Sequence, residues 1–254
     1  MATVAACQLA IDDLDVEANL AAVTTRVHGL PADVDVAVFP EHALTGFVAD
    51  GRMAEAALRR GGAVLERIER LADEAETALL VGFVERAEGA LYNATAYVPP
   101  DSQPAFYRKR HLWAGEREVL EPGSERVVVD TPAGRTGLLT CYDLNFVEES
   151  AAFARERVDA LFVPGAWPAT YSENWTLLLR ARALDGVRWV VGSGRTGRRD
   201  LPDAETVEYA GRSLVARPDG GVRAALDRRE TDLVADLNPE TLAAQRDLVG
   251  IYGE

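Results

Sequence analysis

The sequence predicts an α/β fold, one domain in which two sheets pack on each other with helices outside. Three observations carry this. Short, β-branched apolar runs alternate along the chain with longer segments whose apolar residues recur every three or four positions. No low-complexity linker interrupts that alternation over residues 1–254. No repeat of about 20 to 50 residues is visible, which sets aside solenoids and propellers.

The elements follow in order. VAACQLA at 4–10 reads as a strand and VEANLAAVTTRVHGL at 16–30 as a helix. DVAVF at 35–39 is a buried strand ended by Pro40. Residues 54–76, rich in Ala, Leu, Glu and Arg, read as one helix, and 78–85 as a strand. Gly89 turns the chain into 90–98, the composition of 99–104 is a turn, and 105–109 resumes a strand. The stretch 110–125 reads as a loop, and Pro132-Ala133-Gly134 centres a hairpin. A helix at 147–157, a strand at 159–163, a helix at 173–185 and a strand at 187–194 come next. Residues 195–206, where Arg195, Arg198 and Arg199 cluster among acidic residues, read as a solvated loop. A second hairpin turns at Pro218-Asp219-Gly220-Gly221, 231–237 is the last strand, and Pro239 opens a short helix.

Composition narrows the function. The net charge of −14 argues against partners such as nucleic acid or an anionic membrane, which require basic patches. No apolar run approaches the roughly 20 residues that span a bilayer, and the start lacks the basic region of a signal peptide. Two cysteines, Cys7 and Cys141, make no disulfide framework, so a reducing cytoplasm is expected. His28, His42 and His111 show no metal-ligand spacing with them.

Three polar residues stand at the C-terminal ends of predicted strands, where sites gather in open α/β sheets. They are Glu41, Lys109 and Cys141, and Lys109 is the only lysine among the 27 Lys and Arg residues. Together they have a chemical use. Cys141 would be a nucleophile, Glu41 its base, and Lys109 a compact charge that holds an oxyanion with the backbone N–H of Tyr142. A base is needed because a free thiol is mostly protonated at neutral pH, and a carboxylate in an apolar pocket has a raised pKa that suits proton transfer. Each residue also has a plain reading: Lys109 as a solvated strand end, Cys141 as a small core residue, Glu41 as a cap or surface group. Arg108 and Arg110, which flank Lys109, read as ordinary surface charge. Cys7, in an apolar strand, reads as core. His42 and His111 raise a Cys–His pair as a rival, although no sequence feature brings either to Cys141.

The words around these positions go further. FPEHALTGF at 39–47, YRKRHLW with the Pro-Gly pair by 123, and GLLTCYDLNFVEE at 137–149 resemble the signature blocks of the nitrilase superfamily, the carbon–nitrogen hydrolases. VPGAWP at 163–168, RARALDG at 180–186 and YAGRS at 209–213 continue the resemblance over nearly the whole chain. It implies a four-layer α-β-β-α sandwich and a catalytic triad of Glu41, Lys109 and Cys141. It also implies a second glutamate, Glu116, that orients the lysine and the leaving group. No metal or organic cofactor is implied. Pairing of subunits through the helices at 147–157 and 173–185 is, so a homodimer or larger homo-oligomer is expected.

Asn145, Val147 and the Leu184-Asp185-Gly186 run depart from the family's usual residues, which bears on subgroup and interface rather than on the triad. CYD at 141–143 resembles the amidase and carbamoylase branches, where nitrilases tend to have CWE. The expected substrate is therefore a small amide or N-carbamoyl compound, with a small nitrile or a non-catalytic binding role as alternatives. Phe47, Trp113, Trp167 and Tyr171 lie in loops near the blocks and would line the pocket. Trp167 reads equally well as a core anchor, and Asn174 and Arg195 would offer polar contacts.

Overall fold

The computed structural model describes residues 1–250. Its first half runs β1 (Ala2–Gln8), α1 (Val16–Gly29), β2 (Val36–Val38), α2 (Met53–Ala56), α3 (Ala63–Ala75), β3 (Ala78–Ala87), β4 (Ala90–Val98) and β5 (Ala105–Arg108). Then come α4 (Glu116–Val119), β6 (Val128–Thr131), β7 (Gly134–Leu138), a 3-10 turn (Cys141–Asn145), α5 (Val147–Arg155) and β8 (Ala160–Gly165). A short 3-10 turn (Ala169–Tyr171), α6 (Ser172–Gly186), β9 (Trp189–Gly194), β10 (Arg198–Arg199) and β11 (Val207–Glu208) follow. The chain ends with β12 (Leu214–Ala216), β13 (Val222–Ala225), β14 (Thr231–Leu237) and α7 (Pro239–Val249).

Two six-stranded sheets result, in the orders β14-β1-β2-β3-β4-β5 and β13-β12-β9-β8-β7-β6. β1, β2 and β3 are parallel, as are β7, β8 and β9, with antiparallel strands at the edges. β5 is antiparallel to β4, and β4 to β3, so β5 runs the same way as β2. β14 pairs antiparallel with β1 from Ala2↔Leu237 to Gln8↔Thr231, which joins the two ends of the chain in one sheet.

Strand alternation sorts the side chains into layers. Val4 and Ala6 of β1, Val36 and Val38 of β2 and Leu80 of β3 face Phe162, Trp189, Val191 and Val215 of the other sheet, forming the core between the sheets. Ala5, Cys7, Ala37, Leu79 and Val81 point the other way, under Leu20, Val23 and Val27 of α1 and Leu65, Ile68 and Leu71 of α3. Leu161, Val163 and Val190 pack beneath Phe153 of α5 and Trp175, Leu179 and Ala183 of α6. The order of layers is thus helix, sheet, sheet, helix, as expected, and Cys7 lies fully buried in the outer core.

Some elements differ from the sequence reading. The helix expected over 54–76 is two helices. Gly61 has φ +64°, which only glycine adopts without strain, and Leu58 leaves the helix to bridge Glu85 on β3. The loop 110–125 contains α4, and the loop 195–206 contains β10, paired with β11 as a small hairpin. The helix opened by Pro239 is 11 residues long, started by Asn238, whose side chain accepts from the Glu240 N–H at 2.8 Å. Among the described residues, no helix is long and apolar enough to cross a membrane.

Candidate active site

Glu41 lies three residues beyond β2, in a turn laid against β3. The Leu44 N–H donates to the Gly82 carbonyl at 3.0 Å, and the Gly46 N–H closes the turn on the His42 carbonyl at 2.8 Å. Gly82 makes this possible. A Cβ there would sit 2.6 Å from the His42 nitrogen and 2.8 Å from the Pro40 carbonyl oxygen.

Lys109 follows β5 directly. Its N–H donates to the Asn93 carbonyl of β4, and its carbonyl accepts from the Gly123 N–H, each at 2.8 Å. Its side chain is buried, with Nζ 2.7 Å from Glu41 Oε1 and 2.7 Å from Glu116 Oε2. Asn93 Nδ2 donates to the same two glutamates, at 2.8 Å to Glu41 and 2.6 Å to Glu116. The second Glu41 oxygen accepts from the Ala166 N–H, just past β8, at 2.8 Å. The Trp113 N–H donates to Glu116 Oε2 at 2.7 Å, which anchors α4 to the cluster. Glu41, His42 and Glu116 bring potential ligand atoms within 4.8 Å of one another, but Lys109 Nζ and Asn93 Nδ2 supply the donors among them.

Cys141 opens the 3-10 turn after β7 with φ +48°, a left-handed conformation that costs a non-glycine residue about 1–2 kcal/mol. Thr140 and Asp143 clasp the turn reciprocally, side chain to backbone in both directions.

The charges explain the protonation states. Burial pushes the Cys141 thiol up, and the Glu41 carboxylate beside it pushes it further, against the opposing pull of Lys109. The resting group is therefore a thiol. Burial works against charge on Lys109, but Glu116 and Glu41 outweigh it and hold the ammonium protonated well above its usual range. Burial also opposes ionisation of Glu116, yet Lys109 and His42 bring its carboxyl down to about 2.

A cavity of about 690 Å³ opens over this cluster and takes in Glu41, Lys109, Glu116 and Cys141. All four aromatic residues singled out from sequence line it: Phe47, Trp113, Trp167 and Tyr171. Trp113 and Tyr171 are exposed at its mouth, while Phe47 and Trp167 are buried in its wall. Trp167 serves both readings, since it also packs against Trp175 at 5.6 Å between ring centroids. Tyr142 and Asn174 line the cavity too.

Other expectations need correction. Arg195 does not reach the cavity. It is buried, paired with Asp13 at 2.7 Å and lying over the Tyr209 ring at 4.0 Å. The segment after it is largely exposed, as read from sequence, and it also forms part of the cavity wall: Arg199, Glu205 and Thr206 line the site, and Arg199 ties down by donating to the Phe47 carbonyl at 2.9 Å. Arg108 and Arg110, which flank Lys109 and look like surface charge in sequence, neutralise the buried Glu85 and Glu149. The Cys–His pair does not form. His111 Nε2 lies 2.9 Å from Glu149 and its ring stacks on Phe146, whereas His42 Nε2 meets Asn93 at 3.3 Å.

Sequence reasoning missed Asn93, the Ala166 amide and Asp143. The Thr140-Cys141-Tyr142-Asp143 spacing is a capping-box signal that would have found Asp143. Asn93 sits mid-strand and Ala166 acts through its backbone, so neither has a local signature.

These features define an α-β-β-α sandwich with a thiol, an ammonium and two carboxylates at the base of a cavity. The chain belongs to the carbon–nitrogen hydrolase family, whose profile matches residues 3–247. It is 32% identical to an (R)-stereoselective amidase of a Pseudomonas species over 239 residues, 94% of this chain and 86% of that one. It is 33% identical to the omega-amidase NIT2 of Xenopus tropicalis over 204 residues, 75% of this chain and 72% of the relative. Among solved structures, Nit3 of Saccharomyces cerevisiae, a nitrilase-superfamily member, superposes with a TM-score of 0.90 at 26% identity, covering 100% of this chain and 96% of that one. The amidase of Nesterenkonia sp. AN1 shares the fold, with a TM-score of 0.84 at 21% identity and 98% coverage of both chains.

Proposed function

We propose that this protein hydrolyses the C–N bond of a small amide or N-carbamoyl compound through a thioester on Cys141. One observation carries the reading. Lys109 Nζ is 2.7 Å from Glu41, and Cys141 interacts with that same carboxylate, on the floor of a single cavity.

Cys141 rests as a thiol, so Glu41 takes its proton as the sulfur attacks the carbonyl carbon. Charge develops on the carbonyl oxygen. Lys109 and the N–H of Tyr142 hold it, the latter in the first turn of a 3-10 segment, where N–H groups have no acceptor within the turn. Glu116 fixes the ammonium from the far side. The tetrahedral adduct collapses and the C–N bond breaks, ammonia or the amine leaving with the proton from Glu41. A water then gives a proton to Glu41 and its oxygen to the thioester carbon. Cys141 departs, recovers the proton, and the acid is free. No step calls for a metal or organic cofactor.

The amidase relatives and the Cys141-Tyr142-Asp143 word favour amides over nitriles. The test is an ammonia-release screen over small amides, ω-amides of dicarboxylic acids, N-carbamoyl amines and the matching nitriles, with Cys141→Ala as control. Amide or carbamoyl turnover that Cys141→Ala abolishes is the expected outcome. Turnover of nitriles alone, or a fully active Cys141→Ala, would sink the reading.

The same reading includes a homodimer through α5 and α6, where Val147, Leu177 and Leu184 stand exposed. Sedimentation velocity should show a dimer that Leu177→Glu dissociates, and a wild-type monomer at micromolar concentration would count against it.

A further inference from the structure

Asp143 is fully buried, and its carboxylate takes three hydrogen bonds. Oδ2 accepts from the Tyr107 hydroxyl at 2.7 Å and from the Thr140 N–H at 2.9 Å, and Oδ1 accepts from the His111 N–H at 3.0 Å. The sources of these bonds are the point. Thr140 immediately precedes Cys141 on the second sheet. Tyr107 and His111 stand two residues before and two after Lys109, at the end of β5 on the first sheet. One side chain therefore ties the turn carrying the thiol to the strand end carrying the ammonium.

We infer that Asp143 is a positioning residue: with Tyr107 it forms a latch between the two sheets that sets the distance from Cys141 to Glu41 and Lys109. The inference rests on the proposed roles of those three residues. Its physical basis is that Lys109 follows β5 and Cys141 follows β7, strands of two separate sheets that no common hydrogen-bond ladder joins. The left-handed backbone at Cys141 is a conformation that persists only where its surroundings hold it on both sides. The capping box supplies one side of that hold, and the bonds to Tyr107 and His111 supply the other.

The latch depends on ionisation. All three partners donate, so the acceptor must be a carboxylate. A protonated Asp143 would turn one oxygen into a donor facing a donor. Burial raises this carboxyl, while Lys109, the Tyr107 hydroxyl and the Thr140 and His111 amides pull it back, leaving it at about 6. The charged and titratable groups that face it are Lys109 and Tyr107, with Glu149 acting on Tyr107 from behind. The latch is therefore whole above about pH 6 and loosens below it.

The experiment needs no natural substrate. Carbamidomethylation of Cys141 by iodoacetamide is followed by mass spectrometry from pH 5 to 9. The proteins are the wild type, Asp143→Asn and Tyr107→Phe, with Cys141→Ala as the blank for Cys7. In the wild type the rate should show an inflection near the Asp143 value. Asp143→Asn should lose that inflection and react about tenfold or more slowly at pH 7.5, as expected when a reacting group is displaced by a fraction of an ångström. Tyr107→Phe removes a single hydroxyl and should fold as the wild type by circular dichroism. It should also slow the reaction and shift the inflection. Wild-type rates and an unchanged profile in a folded Tyr107→Phe would overturn the latch, whatever Asp143→Asn does. Failure of the hydrolase reading is distinct, because it shows in the ammonia screen while these alkylation rates still report on the latch.

Discussion

Replacing Lys109 with arginine keeps the positive charge and changes only where it sits. The side chain is 2% exposed and its nitrogen is gripped by two carboxylates, so the longer planar guanidinium cannot keep both contacts with its charge where the ammonium sits. Its charge centre must retreat. If it retreats from about 4 Å to about 6 Å from the developing oxyanion, Coulomb energy at an effective dielectric near 20 falls by about 1.4 kcal/mol, or about tenfold in rate. The directed hydrogen bond is lost as well, and removing one such donor costs about 10² to 10³ in kcat. With both losses acting together the predicted fall in kcat is about 10³- to 10⁴-fold. Overpacking would cost about 1–3 kcal/mol of stability, which leaves a protein that can be assayed. The assay is ammonia release from the best amide of the screen, with kcat and KM separated. A Lys109→Arg variant within about threefold of wild-type kcat would show that charge without placement suffices, and would remove Lys109 from the oxyanion role.

Glu116 and Gly82 give two further tests. Glu116 sits at about 2 in the fold against an ordinary 4.5, so its contribution is present above the ordinary value and lost as pH falls through about 2. Glu116→Gln should cost of the order of 3 kcal/mol at pH 7, and the gap from wild type should narrow as pH drops from 4.5 towards 2. Urea midpoints across that range measure it, and a gap independent of pH would contradict the pairing with Lys109. Gly82→Ala should lose about 1–3 kcal/mol and lower kcat, because the new methyl pushes on the turn that carries Glu41. Gly29→Ala, with open space around it, is the control, and a Gly82→Ala variant that melts and turns over like the control would refute the packing argument.

Much of this site is readable in one dimension because its parts stand at strand ends. Glu41, Lys109 and Cys141 each close an apolar run, and parallel topology carries such ends to one edge of a sandwich. Glu116 is different. Nothing local marks it, and only the likeness to the family's signature blocks pointed to it before the structure placed it 2.7 Å from Lys109. The misreadings share a cause. Arg108, Arg110 and Arg195 look like surface charge because a charged residue shows no burial in its neighbours. Their partners Glu85, Glu149 and Asp13 are distant in sequence, Asp13 by 182 residues from Arg195. The break in the predicted 54–76 helix was signalled by Gly61-Gly62, but apolar spacing continued across it and masked it.

Hydrophobic periodicity and turn residues along the chain were enough for most of the strand and helix order and for the layered α/β architecture. Those are properties of neighbouring residues, and local conformational preference expresses them directly. The environment of Glu41, Lys109, Glu116 and Cys141 was not contained there. That Asn93 bonds both glutamates, that the Ala166 amide holds Glu41 from the second sheet, and that Asp143 joins the Cys141 turn to the Lys109 strand follow from how two sheets stack. Such contacts span dozens to more than a hundred residues, and close packing of the whole core sets their distances.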